Sequence, residues 1–208
     1  ALPDYLSQII NIGIQQNGVD TTIPETIRAS SLDKIALFQS EQERAETLAA
    51  YERIEPGTSE SAALVPYYPG ASLQPVYKLK PLDASATASL EKALTKPLVI
   101  LYGFQMIEQN PEQASSLVGP ELAEKLKSLP AGTDPLSLFT QLPEAQVEQI
   151  KAALMQHLDS LEGTILRQMA VRAVGNEYST LGVNLQKNQT NYILRIGGRM
   201  ILMALLAV

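Results

Sequence analysis

The last nine residues, Met200 to Val208, form an unbroken apolar run that contains no polar residue, glycine or proline. A helix in water usually ends with glycine, asparagine or a basic turn, whereas a helix that crosses a bilayer needs about 20 apolar residues. This run is roughly half of such a span. It therefore predicts the beginning of a longer helix, cut in mid-span, that enters an apolar environment.

The N-terminal residues show a matching pattern. Asn17 and Gly18 provide a typical stop for a helix over residues 2–16. We interpret both ends of the chain as the stumps of longer helices. Within residues 2–16, the apolar side chains that recur at helical spacing are Leu2, Tyr5, Leu6, Ile9, Ile10, Ile12 and Ile14.

Composition limits the fold and the partners. With 208 residues, of which 45% are apolar and 18% charged, the chain can bury the core of one large domain. Its net charge of -6 opposes a nucleic-acid backbone, so nucleic acid is excluded as a main partner. The chain contains no cysteine, which excludes disulfides, thiolate metal sites and cysteine nucleophiles. Few lysines and arginines are also typical of segments that face away from the cytoplasm.

Two further helices are predicted between residues 19 and 55. The first begins near Pro24, with Thr22 as its N-cap, and continues in helical register. The second follows Ser40, which stands three residues before Glu43 at the spacing of a capping box, and ends near Ile54. The charged residues of this second helix are predicted to form a solvated face, and they are Glu41, Glu43, Arg44 and Glu46.

Residues 55–81 contain five prolines and two glycines, which predicts a loop instead of a long helix. Two segments within it, VPYYPG and PVYKLK, are rich in β-prone residues and predict one or two short extended segments. Three tyrosines of this loop, Tyr67, Tyr68 and Tyr77, are candidates for an interaction surface. The alternative, which we favour, is that they pack the loop onto the helices.

The most apolar interior stretch lies in residues 85–109, which have helical composition. Pro97 predicts a kink or a break there. The apolar segment from Leu98 to Ile107 is too short to cross a bilayer, because crossing takes about 20 residues. We therefore predict a buried core helix.

The C-terminal half is predicted to be helical. Short helices are expected at residues 120–128 and 134–141, and a long helix begins at Pro143. Gly163 either breaks this helix or lies within it. A polar connection follows Tyr178, and the closing helix begins near Thr190 or Asn191.

The sequence lacks the motifs of common catalytic and metal sites. His157 is the single histidine, and its place on an apolar stripe favours a partly buried residue over a metal ligand or a catalytic base. No Gly-x-Ser-x-Gly elbow and no phosphate loop occurs. The pair Gly197 and Gly198 favours close helix packing. We expect no catalytic residue, cofactor or metal in this chain.

Three stretches of the chain carry a resemblance to a known family. Residues 2–18, LPDYLSQIINIGIQQNG, resemble the outer end of the first transmembrane helix of bacterial ABC exporter half-transporters, which has the form LP-x-x-x-(S/A)-x-I-I-x-x-G-I. Residues 31–54 are similar to a large insertion in some multidrug-type subunits. Residues 178–208 resemble the return into the second transmembrane helix, with matching positions at Tyr192, Ile193, Gly197, Met200 and Leu202.

The resemblance implies the first extracellular region of a multi-pass permease and ATP-binding subunit in the cell membrane. Residues 1–18 would be the outer end of transmembrane helix 1, residues 19–187 an extracellular helical insertion domain, and residues 188–208 the start of transmembrane helix 2. The fold class predicted from the residues is mainly α, with a proline-rich loop and an optional short β-hairpin, and the resemblance places it between two truncated transmembrane helices. The implied partners are a second half-transporter subunit and the lipid bilayer. ATP and Mg would bind to the parent and not to this segment.

In such a parent, ATP would drive the export of drugs, lipids or peptides, and this segment would act as a cap over the outer mouth or as an interaction module. We favour the cap. The alternative from another class is a free-standing helical binding or adaptor protein without enzymatic activity, whose apolar ends pair with each other or with a second copy. A hydrolase that uses His157 is a distant third hypothesis.

Overall fold

The computed structural model describes residues 2–109, 124, 134–140 and 142–206. The chain divides into two compact units. Unit 1 comprises Ala1–Ala29, Tyr51–Lys80 and Val171–Val208, and unit 2 comprises Ser30–Ala50 and Pro81–Ala170. The predicted helix at residues 120–128 lies outside the described residues apart from residue 124, which is helical.

Helices dominate the described part of the chain, as the sequence predicts. No helix among these residues is both long enough and apolar enough to span a bilayer. A π-helix, Ile9–Gln15, continues the first α-helix, and 3-10 helices span Pro69–Ser72 and Pro135–Thr140. The α-helices are α1 (Leu2–Gln8), α2 (Ala29–Ala36), α3 (Glu41–Ala50), α4 (Ser59–Leu64), α5 (Ala84–Gln109), α6 (Glu144–Asp159), α7 (Gly163–Thr180) and α8 (Leu185–Leu206).

Unit 1 contains a small antiparallel sheet of three strands, β1 (Thr26–Arg28), β2 (Tyr51–Ile54) and β3 (Val76–Leu79), in the order β1-β3-β2. Strand β3 comes from the segment PVYKLK, which the sequence predicts to be extended. Val76 is fully buried and lies opposite Arg28 on one side and Ile54 on the other.

Two expectations about these segments are wrong. The predicted helix near Pro24 begins only at Ala29, because the preceding residues pair with β3 as β1. The helix predicted to reach Ile54 ends at Ala50, because the residues that follow pair with β3 as β2. Of the one or two extended segments predicted in the loop, PVYKLK provides one, and VPYYPG forms a turn and the start of a 3-10 helix. The loop of residues 55–81 also contains the short helix α4, for which Thr58 provides the N-cap by accepting a hydrogen bond from the Ser61 N–H.

An ion pair within unit 1 joins distant parts of the sequence. The Glu177 carboxylate is 2% exposed and accepts hydrogen bonds from the backbone N–H of Arg28 at 2.9 Å, from its Nε at 2.8 Å and from its Nη2 at 2.9 Å. The hydrogen bond to Glu177 raises the pKa of the Arg28 guanidinium. Strand β1 is thereby fixed to the C-terminal part of α7.

The terminal helices of unit 1 pack side by side and run in opposite directions. A Cβ atom at Gly13 would lie 2.8 Å from Ile193, and one at Gly18 would lie 2.9 Å from the carbonyl oxygen of Asn188. The earlier of the two glycines, Gly13, thus meets the later residue of α8, Ile193, which shows that the two helices are antiparallel. The predicted stop is confirmed, because Asn17 and Gly18 have φ values of 51° and 75° and the Gly18 N–H donates to the Ile12 carbonyl at 2.8 Å.

Helix α8 begins at Leu185, not near Thr190, so most of the predicted polar connection belongs to the helix. Asn184 caps this end, since its Oδ1 accepts a hydrogen bond from the Lys187 N–H at 2.9 Å. Gly197 and Gly198 do not mark a close helix contact, because no described atom lies within 4 Å of a Cβ placed at either residue.

The sequence predicts a kink or a break at Pro97, and in unit 2 the break does not occur, because helix α5 continues through this residue. Proline has no N–H and leaves the carbonyl of the residue four positions earlier, Ala93, without its helical partner. Gln39 replaces that partner, because its Nε2 donates to the Ala93 carbonyl at 3.1 Å and also to Thr47 Oγ1 at 2.8 Å. Among the described residues, Gln39 Oε1 is buried without a hydrogen-bond partner, so this repair has a desolvation cost.

The apolar segment of α5 forms the core of unit 2, as predicted, and its residues from Leu98 to Leu101 are all buried. All three phenylalanines of the chain meet there, with ring centroids 6.4 Å apart for Phe38 and Phe104, 5.6 Å for Phe38 and Phe139, and 5.9 Å for Phe104 and Phe139. Such edge and offset contacts stabilise a core beyond the area that they bury.

Two helix starts in unit 2 confirm their sequence signals. The capping box forms, since the Ser40 N–H donates to Glu43 Oε2 at 2.9 Å and the Glu43 N–H donates to Ser40 Oγ at 3.3 Å. Helix α6 begins after Pro143, and Gly163 begins a separate helix, α7. His157, however, is exposed and not part of the buried face, because α6 buries Leu154 and Leu158 at a different angle around its axis.

The repair of the proline site can be measured with a double-mutant cycle. Gln39→Leu leaves the Ala93 carbonyl and the Thr47 hydroxyl unpaired, and should lower the free energy of unfolding by about 1–3 kcal/mol. In a Pro97→Ala background, the backbone N–H at position 97 is restored and donates a hydrogen bond to the Ala93 carbonyl. Gln39→Leu should then lower the free energy of unfolding by about 1 kcal/mol less than it does in the presence of Pro97. Urea unfolding followed by circular dichroism gives both values.

The matched control for that cycle is Gln42→Leu, which removes an exposed glutamine side chain on α3. It should change stability little in either background. Equal costs of Gln39→Leu with and without Pro97 would show that the glutamine does not compensate for the proline.

Candidate functional site

An open groove of about 850 Å³ lies on unit 1. Its lining comes from the loop after the π-helix, the turn Pro66–Pro69, the end of α7 with the residues that follow it, and the first turns of α8. Tyr67 and Tyr68 of the predicted interaction surface line this groove. Four of the eight tyrosines of the chain do so, the others being Tyr178 and Tyr192.

The wall that carries Tyr67 and Tyr68 is held at several backbone points. Both tyrosine N–H groups donate to the Leu64 carbonyl, at 2.9 Å and 2.8 Å, and the Gly70 N–H donates to the Leu181 carbonyl at 2.8 Å. Prolines on each side of the two tyrosines restrict the turn further. The Tyr67 side chain is nevertheless 72% exposed. The turn therefore presents a large aromatic ring to solvent on a fixed backbone.

A close approach of the chain completes this wall. Gly182 has a φ of 82°, and a Cβ atom there would lie 3.2 Å from Pro69. A side chain at this position would have both an unfavourable backbone conformation and a tight contact. The groove wall thus requires a glycine after α7.

Glu25 connects two tyrosines of the groove lining. Its backbone N–H donates to the Tyr178 hydroxyl at 2.9 Å, and its Oε2 accepts a hydrogen bond from the Tyr68 hydroxyl at 3.2 Å. The two tyrosine rings are in contact, with centroids 5.5 Å apart and planes inclined by 59°. These contacts fix the orientation of the Glu25 carboxylate, whose residue is exposed.

Burial keeps these two phenols protonated. It raises the pKa of Tyr68 to about 12, with a further contribution from the Glu25 charge. It also raises the pKa of Tyr178 well above its ordinary value, and the neighbouring Tyr68 adds to this shift. Both groups are therefore neutral hydrogen-bonding groups at physiological pH and do not act as bases.

Helix α8 contributes Asn191, Tyr192 and Arg195 to the groove lining. The Arg195 guanidinium lies over the Tyr192 ring, 5.2 Å from its centroid, in a cation–π contact. Charges of both signs line the groove, with Asp20 and Glu25 on one hand and Lys187 and Arg195 on the other. The groove therefore favours a ligand with polar and mixed character over a strongly charged one.

Tyr77, the third candidate, does not line this groove. It lies on β3 between Ile27 and Arg53, and the Arg53 guanidinium is 5.9 Å from the centroid of its ring. The three candidate tyrosines thus divide into two groove residues and one residue of the sheet. The favoured packing interpretation fits Tyr77 and Tyr68 better than the exposed Tyr67.

The groove offers aromatic rings, hydroxyl and amide groups and a few charges, which is the chemistry of recognition. His157 belongs to unit 2 and is exposed. The described residues contain no group of three or more histidine, cysteine or acidic side chains that could hold a metal ion.

Sequence reasoning missed most of the groove. Glu25, Tyr178 and Arg195 are far apart in the sequence, and only the fold brings them to one site. The segment NLQKNQTN, predicted as a polar connection, contains a further signal. Several polar side chains at helical spacing before an apolar run also predict a helix that exposes one polar face. Lys187 and all three asparagines of this segment, Asn184, Asn188 and Asn191, line the groove.

Comparison with known proteins found no match among family models, curated proteins or solved structures. The resemblance of three stretches to ABC exporter subunits therefore stays a prediction from their residues. The role of the groove has to follow from its geometry and its chemistry.

The partly buried Tyr68 phenol and the buried Tyr178 phenol predict a loss of stability at alkaline pH. A raised pKa in the folded state means that the fold holds these protons more tightly than the unfolded chain does. The contribution of the Tyr68 phenol to the free energy of unfolding is fully present below pH 10, the ordinary pKa of tyrosine. It is lost as the pH rises toward about 12. The Tyr68→Phe variant lacks one of these phenol protons. Between pH 10 and about pH 12, its free energy of unfolding, measured with urea, should therefore fall less steeply than that of the unchanged protein.

The region below pH 10 provides the internal control for this measurement, because the Tyr68 phenol is protonated there in both the folded and the unfolded chain. The variant should differ from the unchanged protein in that range only by a constant offset of about 1 kcal/mol for the lost hydrogen bond to Glu25. Identical slopes above pH 10 would contradict the burial of the Tyr68 phenol.

Proposed function

We propose that this chain is the extracellular segment of an ABC-type exporter, where it acts as a cap or interaction module in the ATP-driven export of drugs, lipids or peptides. The observation that carries the proposal is the antiparallel packing of the terminal helices through Gly13 and Ile193. This packing places the start of α1 and the end of α8 at the same end of unit 1. A domain held by two neighbouring membrane helices needs that arrangement.

The outer surface of this helix pair supports the proposal. Leu194 is 68% exposed, Leu202 is 58% exposed and Ile10 is also exposed. Arg195 and Arg199 precede the apolar residues from Met200 onward, and arginines at the end of an apolar segment often lie at a lipid interface. Exposed apolar side chains on a helix that ends in an apolar run are suited to lipid contact.

In the proposed parent, a second half-transporter subunit is the partner, and ATP and Mg bind to domains that this segment does not include. The groove and the two terminal helices belong to the same unit, so a ligand bound in the groove would be attached directly to the helices. This arrangement suits the role of an interaction module. Movement of either terminal helix would be transmitted directly to unit 1, because both helices belong to it.

Bilayer contact can be tested with single labels, since the chain contains no native cysteine. An environment-sensitive fluorophore on Leu202→Cys should shift to the blue, and lipid-linked quenchers should reduce its emission, when the protein is added to phospholipid vesicles. A label on Leu73→Cys is the matched control. Leu73 is a leucine of the same unit that is 83% exposed and lies between the 3-10 helix and β3.

The proposal expects the response at position 202 and none at position 73. A response at neither position would contradict bilayer contact and favour the free-standing helical adaptor. A response at both would indicate nonspecific adsorption of unit 1 and would also contradict the proposed anchoring.

The role within an exporter can be tested by removing the insertion while keeping the helix pair. Asn17 and Asn188 are adjacent, since the Asn188 Nδ2 donates to the Asn17 carbonyl at 3.2 Å. Residues 19–187 can therefore be replaced by a short glycine linker in the full transporter without separating the two helices. We expect loss of transport, of subunit assembly or of the normal substrate range. Unchanged values of all three would contradict the proposed roles.

A further inference from the structure

The groove on unit 1 presents hydrogen-bond donors that the described fold does not use. Within the described residues, the Tyr67 hydroxyl, the Asn191 side-chain amide and the Lys187 ammonium have no hydrogen-bond partner. Each can donate a hydrogen bond. A ligand that supplies acceptors without competing donors would satisfy them best.

A proline-rich peptide is a ligand of this kind. In the polyproline II conformation the backbone makes no internal hydrogen bonds, so its carbonyl groups are available as acceptors. Proline itself has no N–H to donate. The conformation is also formed before binding, which reduces the entropy lost on association.

The tyrosines of the groove provide matching surfaces for proline rings. Tyr67 is exposed on a turn whose backbone is held by Leu64, and Tyr68 is oriented by Glu25. Because their backbone is fixed, little conformational entropy is lost when a ligand packs against them. Exposed tyrosines on a rigid surface are frequent binding hot spots.

The charges favour a basic residue beside the prolines. Glu25 is exposed, and its Oε2 accepts a hydrogen bond from the Tyr68 hydroxyl, which orients the carboxylate. The Arg195 guanidinium, which also lines the groove, lies over the Tyr192 ring. The carboxylate therefore offers an oriented contact for an arginine or lysine of the ligand.

We propose that this groove binds a proline-rich segment of another protein in the polyproline II conformation, with a basic residue of that segment against Glu25. A small organic ammonium ion would fill the aromatic part but offer no acceptor to the three donors. An inorganic anion would meet Asp20 and Glu25 as well as the basic residues. The inference does not depend on whether the terminal helices enter a bilayer.

The test uses the full chain and two displayed peptide libraries. One library carries two prolines separated by two randomised positions, with an arginine at either end. The other has alanine in place of each proline. We expect enrichment from the proline library only, and we expect the selected peptides, made as fluorescent synthetic peptides, to bind saturably in fluorescence anisotropy.

Four variants assign the binding to the groove. Tyr67→Ala should weaken binding about tenfold or more. Tyr67→Phe keeps the ring and should weaken it about two- to tenfold through the lost hydroxyl contact. Glu25→Gln should weaken the binding of the selected arginine-containing peptides and should not change the affinity of the same peptides made with alanine in place of the arginine. Leu73→Ala, which changes an exposed side chain outside the groove, is the control and should not alter affinity.

Several results would overturn the proposal. They are equal enrichment from the two libraries, no enrichment from either, or a selected peptide whose affinity Tyr67→Ala leaves unchanged while circular dichroism shows the variant to be folded. Loss of binding in Leu73→Ala at the same level as in Tyr67→Ala would also overturn it, since the effect would then not belong to the groove.

Discussion

The buried carboxylate of Glu177 is the interaction on which unit 1 depends. It compensates the Arg28 guanidinium and also accepts the Arg28 backbone N–H, so it fixes both the side chain and the end of β1. Removing one partner of a buried ion pair typically costs about 3–5 kcal/mol, because the other charge is left without compensation. The hydroxyl of the next residue, Tyr178, accepts a hydrogen bond from the Glu25 N–H. The positions of Glu25 and Tyr178 in the groove lining therefore follow from the ion pair.

The features predictable from sequence are those whose cause lies within a few residues. The capping box of Ser40 and Glu43, the stop at Asn17 and Gly18, and the start of α6 after Pro143 are of this kind. The core segment of α5 was also predictable, because a long apolar run has few alternatives to burial. For these elements the local chain contains the complete physical reason for the structure.

The features that sequence reasoning missed depend on distant partners. Strand β1 has only three residues and follows a plausible helix start at Thr22 and Pro24, but pairing with β3 decides its conformation. Continuity of α5 through Pro97 depends on Gln39, which is more than fifty residues away in the sequence. His157 lies next to the apolar residues of α6 in the helical pattern, but the buried face of this helix is narrow and contains Leu154 and Leu158 without His157. The groove, too, forms from three separate stretches of the chain, and of its tyrosines only Tyr67 and Tyr68 belong to the predicted surface.

The division of the chain into two units has a consequence for the order of synthesis. Unit 1 is assembled from three separate stretches, and unit 2 occupies the sequence between them. Arg28 leaves the ribosome 149 residues before Glu177. At ordinary rates of translation this delay is roughly 7 to 30 s, during which unit 2 can fold while β1 still lacks its carboxylate partner. A nascent chain arrested before residue 177 would therefore carry an incomplete unit 1, which a cell could protect with a chaperone or recognise as unfinished.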